Sequence, residues 1–416
     1  MNKFLNILLV FLSALAIQSC YKESVLYDSE INESLELSLI LKLNGKNCSY
    51  DRNTNTLRCP IEASTINSYS PLIEFQDYAT VCFDGKVLKN NMKNDLGNIK
   101  INQEYEISIM VNNETNKLIL SFTNLPIVQI VAPNKFYNEP KTISKMFINY
   151  PVLERETDVY FIGIEYRGAT ALKYPKKAYG IELKDENNLN KNISQSLLGK
   201  SGVNQWILDA MYEDKARLRN KTAFDIWNSM SPNPDMQIEF EFVELFINNE
   251  HKGIYCIGQN INAEQLKLTN SKGVLYKTST RYELATVYEE YNSDPPQDFY
   301  WDGWEQKYPD PKINHNWNSL SDLRDLTVNG NSNAFKDEIS SLVNIESFID
   351  YYLLVNLLFT TDNVAKNNYL TSSNSIEQLS ILPWDLDGGI KRLWSGTPST
   401  SLQNKSIVSN LSLIHI

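Results

Sequence analysis

Histidine is scarce in this sequence, with 3 residues in 416. His251, His315 and His415 lie far apart, and no pair has the spacing of a metal-binding motif, which argues against a zinc site. A histidine general base is disfavoured for the same reason. Any catalysis is therefore expected to rely on carboxylates.

Basic residues are fewer than acidic residues, 39 against 50, and the formal net charge is -11 at pH 7. Such a chain repels phosphate backbones, so we expect no nucleic-acid partner. An acidic surface can instead hold a basic protein substrate or divalent cations.

Long apolar runs are absent except at the N-terminus, where residues 4–17 follow Lys3. This run is short for a membrane-spanning helix and has the form of a secretory signal peptide. Cys20 stands at the expected cleavage point and resembles the lipidated cysteine of a bacterial lipobox, although Ile17 occupies a position where leucine is usual. The alternative is ordinary signal cleavage with a chance cysteine at this place.

The N-terminal pattern therefore predicts a signal peptide at residues 1–19 and a polar tether at residues 20–34. A lipid on Cys20 would attach the exported protein to a membrane as an outer-membrane or cell-surface lipoprotein.

Four further cysteines remain, and an exported chain can form disulfides. Cys48 and Cys59 flank a turn-rich stretch and could close a hairpin, but the sequence leaves the pairing open. Cys82 and Cys256 could simply be buried small hydrophobic residues.

Residues 35–124 alternate apolar and polar side chains in short runs, as β-strands do. Turn signals separate these runs at Asn44-Gly45, Asp84-Gly85 and Asn112-Asn113. The spacing predicts a small all-β sandwich of immunoglobulin-like type, without a catalytic constellation.

Residues 125–410 form a second predicted domain in which strands and one helix come first and mostly helices follow. This is the order of a two-lobed kinase and of many other α+β domains. The predicted elements are strands at 158–166, 178–183 and 238–247, a helix at about 214–230 and a long loop at 286–316. A further helix begins near Asn344, which can cap it. Its apolar stripe is Phe348, Ile349, Tyr352 and Val355.

The strongest chemical signal is a group of oxygen-bearing side chains near the end of the sequence. Asp362 and Asn367 are five positions apart, as are the catalytic Asp and metal-binding Asn of protein kinases. Asp385 follows on the next predicted hairpin, where a second metal-binding Asp would fall. Carboxylate and amide oxygens are the ligands that Mg2+ prefers. Taken alone, this spacing also arises in ordinary turns.

Several ordered segments together resemble the CotH family of atypical protein kinases, first known from spore coats, over roughly residues 126–395. The resemblance implies an α+β fold in which a two-lobed kinase-like domain follows the sandwich. The matching segments are Arg167-Gly168, 175–183, 197–199, 206–208, 214–220, 243–248, 253–255, 362–369 and 384–387.

The resemblance implies that Asp362 is the catalytic aspartate. It implies that Asn367 and Asp385 bind Mg2+ or Mn2+, and that ATP is the second cofactor.

For the nucleotide, the resemblance implies a phosphate-binding lysine in the strand that begins at residue 175. Lys176 and Lys177 face opposite sides of that strand, and the choice between them stays open. Arg167 could bind phosphate through its planar guanidinium group. Tyr276 could stack on adenine or pack in a sheet.

Two departures from the expected patterns are present. Ala169-Thr170 stands where the family has a polar pair, and the chain contains no Gly-x-Gly-x-x-Gly loop, which argues against an ordinary protein kinase but not against this family. Glu244 is the acidic residue that the family has on a later strand, and it could hold the fold together.

Residues 411–416 match a translated transposase end sequence, so we expect a sequencing artefact and a truncated kinase-like domain there.

The primary hypothesis is an extracytoplasmic protein kinase that transfers the γ-phosphate of ATP to Ser or Thr of an exported protein. One alternative is a non-catalytic, kinase-shaped surface lipoprotein that binds protein or glycan. Another is a metal-dependent hydrolase that uses the same carboxylates.

Overall fold

The computed structural model describes residues 41–133, 139–152, 155–168, 170–231, 233–268, 272–278, 298–301, 303–364, 366–373 and 378–390. The predicted signal peptide, tether and lipidated Cys20, and residues 411–416, lie outside these ranges. The chain divides into two compact units. The first runs to Ile193 and includes Phe242–Tyr255; the second comprises Ser194–Glu241 and the chain from Cys256 onward.

The predicted α+β class is confirmed, because strands and helices both contribute extensively to the described residues. None of the helices in these ranges is long and apolar enough to cross a membrane.

The N-terminal part of the first unit is a β region with three sheets. One sheet has the strand order β2-β1-β6-β9, another β3-β4-β12-β11-β7-β8, and the third pairs β10 with β5. The strands are β1 Leu41–Leu43, β2 Lys46–Asn47, β3 Ser49–Asp51, β4 Thr56–Pro60, β5 Thr65–Ile66, β6 Leu72–Phe75, β7 Thr80–Phe83, β8 Lys86–Val87, β9 Met92–Lys93, β10 Ile99–Lys100, β11 Glu104–Val111 and β12 Glu114–Thr123.

All three predicted turns join neighbouring antiparallel strands. Asn44-Gly45 connects β1 to β2, Asp84-Gly85 connects β7 to β8, and Asn112-Asn113 connects β11 to β12. Both residues of each turn have positive φ. Gly, Asn and Asp tolerate this conformation, and it matches the twist of a hairpin.

Cys48 and Cys59 form a disulfide with a Cα–Cα distance of 4.7 Å, which settles the pairing left open by the sequence. Cys82 and Cys256 are free. Cys256 is buried, and burial raises the pKa of its thiol, as expected for a cysteine that serves as a small hydrophobic residue.

The rest of the first unit belongs to a fourth sheet. β13 lies parallel to β19 and antiparallel to β14, and β15 pairs with both β14 and β16. The strands are β13 Ile127–Val131, β14 Thr142–Asn149, β15 Asp158–Arg167, β16 Ala178–Asp185, β17 Asn188–Asn192, β19 Phe240–Ile247 and β20 Glu250–Gln259, of which β19 and β20 also extend into the second unit.

A buried ion pair links the β region to this sheet. Arg58 of β4 donates two hydrogen bonds to Glu244 of β19, one of them from Nη2 to Oε1 at 2.7 Å. His251 Nε2 lies 3.1 Å from Glu244 Oε2. Burial raises the pKa of Glu244, but the hydrogen bonds from His251 and Arg58 outweigh it and lower the pKa to about 2. Glu244 therefore holds the fold together, one of the two roles that the sequence left open.

A buried lysine makes a second link. Lys46, on β2, donates through Nζ to the carbonyl oxygen of Tyr150 at 2.7 Å and also to that of Val152. Its burial lowers the pKa of the ammonium group. The two compact units consequently do not divide at residue 124, where the sequence predicts a domain boundary.

The second unit contains a five-stranded sheet with the order β22-β23-β21-β24-β25, and helices. Part of this sheet lies within the stretch 286–316 that the sequence predicts as a loop, so that prediction is wrong at β22 and β23. The elements are β18 Gln205–Asp209, α1 Arg219–Met230, β21 Val274–Thr278, β22 Tyr300–Trp301, β23 Trp304–Tyr308, α2 Asn318–Asn329, α3 Ser332–Leu342, α4 Ile345–Leu358, β24 Asn368–Ser372 and β25 Ser380–Pro383.

Helix α1 begins five residues later than predicted. The carboxylate of Asp214 accepts hydrogen bonds from the backbone N–H groups of Ala216, Leu218 and Arg219, at 3.0, 2.9 and 2.8 Å. These bonds hold a non-helical turn ahead of the first helical residue, because a short acidic side chain competes for backbone donors.

Helix α4 begins where predicted, and Asn344 caps it by accepting from Ser347 N at 3.2 Å. Its buried face differs from the predicted stripe, because Ile349 is 49% exposed whereas Tyr351 and Leu354 are buried. A helix that is apolar on most sides does not reveal its core face from periodicity alone.

Candidate active site

Asp362 lies in a short turn between α4 and β24. Phe359 ends the helix in a left-handed conformation, and a 3-10 turn of residues Thr361–Asn363 follows. The Oδ2 atom of Asp362 accepts a hydrogen bond from Asn367 Nδ2 at 2.8 Å, and its Oδ1 lies 3.0 Å from Lys366 Nζ. The structure therefore brings the predicted catalytic Asp and the predicted metal-binding Asn into direct contact.

Asp385 comes just after β25 and immediately before a second 3-10 turn, Leu386–Gly388. It has φ 55°, a left-handed conformation that is uncommon for a residue with a side chain; Asn367 shares it with φ 57°. Backbone of this kind is concentrated at functional sites because the surrounding structure must hold it in place.

Asp385 is exposed to solvent, although protein atoms also surround its carboxyl group closely. Desolvation and the charges of Asp387, Asp209 and Asp362 raise its pKa to about 7, against an opposing effect of Lys366. The three predicted oxygen donors thus belong to one acidic cluster, which we define as Asp209, Asp362, Asp385, Asp387 and the amide of Asn367.

Asn363 joins the two turns of this cluster. Its Nδ2 donates to the carbonyl oxygens of Asn367 and Trp384, at 3.0 and 2.7 Å. The Trp384 N–H donates in turn to the Asn367 carbonyl at 2.8 Å, and Tyr351 Oη donates to the Asn363 carbonyl at 2.5 Å. Asn363 is fully buried, and so its amide fixes the distance between the two strand ends that carry the functional side chains.

Helix α1 supplies a further connection through Asn220. Its Nδ2 donates to Asp209 Oδ2 at 3.1 Å, and its Oδ1 accepts from Leu386 N, also at 3.1 Å. Asn220 thereby links Asp209 to the turn that follows Asp385. Asp209 was not predicted as a site residue; its signal is a carboxylate at the end of the strand β18.

The acidic cluster has the donor chemistry of a Mg2+ or Mn2+ site. The Asn367 amide nitrogen is turned to Asp362, which leaves Oδ1 as the atom that can bind a cation. Crowding of carboxylates around Asp385 is the condition that a divalent cation relieves. Across the described ranges, no three His, Cys, Asp or Glu side chains form a ready-made metal-binding group. A cation held here would therefore also need water or substrate oxygens, as Mg2+ commonly does.

The predicted phosphate-binding residues lie in the first unit. Lys176 Nζ donates to the carbonyl of Ile254 and lies 4.1 Å from the centre of the Tyr255 ring. Lys177 Nζ donates to the Leu172 carbonyl at 2.6 Å. Arg167 ends β15. Each lysine would leave a carbonyl partner in order to contact phosphate, so the structure does not choose between them.

Tyr276 belongs to the core of the second unit. The residue is fully buried, its ring stacks on Trp317 with centroids 5.2 Å apart, and its hydroxyl donates to the Asn316 carbonyl at 2.6 Å. Burial also raises the pKa of this hydroxyl. These contacts match the packing alternative, and we do not include Tyr276 in the proposed nucleotide site.

A cavity of about 710 Å³ opens on the sheet of the first unit, and Lys141, Glu165, Glu182 and Lys184 are among its lining residues. Lys141 Nζ lies 3.2 Å from Glu165 and 3.3 Å from Glu182, and Lys184 Nζ lies 2.9 Å from Glu182. Because these charges are mutually paired, the cavity adds no group of evident reactivity to the acidic cluster.

Comparison with known proteins gives one family match. The family model described as CotH kinase protein matches residues 164–414, which is more than half of the chain and includes the acidic cluster. A search of curated proteins found no match.

Proposed function

Because the chain belongs to the CotH kinase protein family, we propose that it is an extracytoplasmic kinase that transfers the γ-phosphoryl group of ATP to Ser or Thr of an exported protein. The observation that carries this proposal is the convergence of Asp362, Asn367 and Asp385, which lie on two separate turns yet belong to one cluster. Transfer of a phosphoryl group depends mainly on positioned charge, and these three side chains can position it.

Each residue has a distinct role in this proposal. Asp362 accepts a hydrogen bond from the acceptor hydroxyl and takes its proton as the hydroxyl attacks. Asp385 and Asn367 provide oxygen ligands for the cation. A divalent cation held there would supply positive charge against the negative charge that develops on the ATP phosphates. Lys176, Lys177 and Arg167 remain proposed contacts of the nucleotide phosphates.

We further propose that the two compact units are the lobes of a kinase-like domain and that the N-terminal β region is an immunoglobulin-like addition to the first. The strand-rich composition of the first unit and the helices of the second support this assignment.

The test of the function is label transfer from ATP radiolabelled at the γ-phosphate to casein-like acceptors. The purified chain is assayed with Mg2+, with Mn2+ and with EDTA, followed by phosphoamino-acid analysis. We expect labelled Ser or Thr with either metal and none with EDTA. Release of free phosphate without protein labelling would favour a metal-dependent hydrolase. Absence of both ATP binding and turnover would favour the non-catalytic lipoprotein that binds protein or glycan.

An exported, lipid-anchored location is the accompanying proposal. The signal-like residues 1–19 followed by Cys20 support it, and so does the Cys48–Cys59 disulfide, since disulfides persist in oxidising compartments. We expect metabolic labelling with palmitate to mark the wild-type chain and not Cys20→Ser. Equal labelling of both chains would contradict the assignment of Cys20.

A further inference from the structure

Lys366 lies beside the two acidic residues that the proposed reaction uses. Its Nζ is 3.0 Å from Asp362 Oδ1, and its charge lowers the pKa of Asp385 against the effect of the carboxylates. The side chain is 27% exposed, so it can reach a bound ligand. The family resemblance assigned no role to this lysine.

The contact between Lys366 and Asp362 differs from an ordinary surface pair four residues apart on a helix. The chain between them leaves the 3-10 turn Thr361–Asn363 and enters β24 at Asn368, so no continuous helix aligns the two side chains. The Asn363 bonds to the Asn367 and Trp384 carbonyls fix this turn. A loop held in this way places the ammonium group specifically at the acidic cluster.

The cluster needs a nearby cation for electrostatic reasons. Asp209, Asp362, Asp385 and Asp387 contribute four carboxylates, and the neighbouring Arg219 is engaged by Asp214 and the Ile390 carbonyl. ATP is itself highly anionic. Even with a divalent cation bound, its terminal phosphate would approach a region of excess negative charge unless another positive group is present.

We propose that Lys366 contacts the γ-phosphate of bound ATP and stabilises the phosphoryl group during transfer; this inference rests on the proposed function. The transferred group would approach both Asp362, which binds the acceptor hydroxyl, and the residues that would hold a cation, Asp385 and Asn367. Lys366 contacts Asp362, and its charge acts on Asp385. An ammonium group has three donors, so Lys366 can bond Asp362 and still donate to phosphate oxygens.

The proposed step conserves atoms and charge. The bond between the γ-phosphorus and the β,γ-bridging oxygen breaks, and its electron pair leaves with ADP. The acceptor oxygen forms the new bond to phosphorus, and its proton passes to the Asp362 carboxylate and then to water. Lys366 neither gives nor takes a proton in this step, and its contribution is charge stabilisation alone.

The test compares nucleotide binding by wild type, Lys366→Met and Lys366→Arg in the full chain with Mg2+. Calorimetry measures the affinities for ADP and for a non-hydrolysable ATP analogue. If Lys366 contacts the γ-phosphate, its removal should weaken binding of the analogue and leave binding of ADP unchanged, because ADP has no γ-phosphate. We expect Lys366→Met to weaken analogue binding about 10-fold with ADP binding unchanged, and to lower kcat about 100-fold, a typical loss for one such donor. Lys366→Arg should retain part of the preference for the analogue.

Lys336→Met, at an exposed position on α3, serves as the matched control and should change neither affinity. Should Lys366→Met fail to fold, the affinities of Lys366→Arg decide the question. The guanidinium group differs in shape from the ammonium group, so it must alter the ratio of analogue affinity to ADP affinity if residue 366 contacts the γ-phosphate. A ratio equal to that of wild type in every folded Lys366 variant would refute the role of Lys366 while leaving the kinase proposal intact. Wild-type chain that binds neither nucleotide would refute both.

Discussion

Asp385→Asn is expected to lower phosphoryl transfer at least about 100-fold, the scale on which loss of one preorganised charged group acts. The asparagine keeps the shape of the side chain but removes a negative oxygen ligand from the cation. Label transfer and Mn2+ binding, the latter followed by electron paramagnetic resonance, would both measure this loss.

The same substitution should leave the fold intact and raise or preserve its thermal stability. The neighbouring carboxylates of Asp362, Asp209 and Asp387 oppose ionisation of Asp385, and a neutral amide removes that repulsion. Loss of activity together with an unchanged or higher Tm would therefore separate a functional role from a structural one.

Asp337→Asn, on the exposed face of α3, is the control for a change of net charge and should behave as wild type in both assays. Transfer by Asp385→Asn at the wild-type rate would exclude Asp385 from the site.

Glu244→Gln should destabilise the first unit by about 3 kcal/mol at neutral pH, the lower end of the cost of removing one partner from a buried ion pair. The carboxylate is 3% exposed and Arg58 is 17% exposed, so water compensates little for the lost charge. Urea denaturation followed by far-ultraviolet circular dichroism, which reports the strands of this unit, gives the free energy of unfolding. Glu106→Gln breaks an exposed pair with Lys117 at 3.8 Å and should cost at most about 0.5 kcal/mol.

The destabilisation by Glu244→Gln should also depend on pH. The folded-state pKa of Glu244 is about 2, below its ordinary value of 4.5. The stabilisation that ionised Glu244 provides is therefore complete above pH 4.5 and is lost as the pH falls toward 2. The difference between wild type and variant should shrink across that interval, and a difference that stays constant down to pH 2.5 would contradict the ion-pair explanation.

Local sequence signals predicted the hairpins and placed two of the candidate oxygen donors within one loop. Asn44-Gly45 and Asp84-Gly85 specify left-handed turns through their own chemistry, which needs no knowledge of distant residues. Asp362 and Asn367 are five residues apart within one loop, so their contact is also local. Asp385 was placed through its hairpin and the family resemblance.

The features that sequence reasoning missed or left open depend on contacts between distant segments. Asp209 and Asn220 reach the cluster because β18 and α1 pack beside the turn after β25, and no local period encodes that neighbourhood. Burial of Tyr276 against Trp317 involves residues 41 positions apart. Asn363 bonds both strand ends through its amide, and the second of these partners, Trp384, lies 21 residues away.

The links made by Arg58 and Lys46 constrain how this protein can be cut or recombined. A fragment trimmed to residues 125–390 would lack Lys46 and Arg58. The carbonyls of Tyr150 and Val152 would lose their ammonium donor, and the buried carboxylate of Glu244 would lose its guanidinium partner. Grafting a different leading module onto the same family-matched region would require matching replacements at both contacts. The β region is therefore a permanent part of this protein's framework, and it cannot be exchanged freely as a modular attachment.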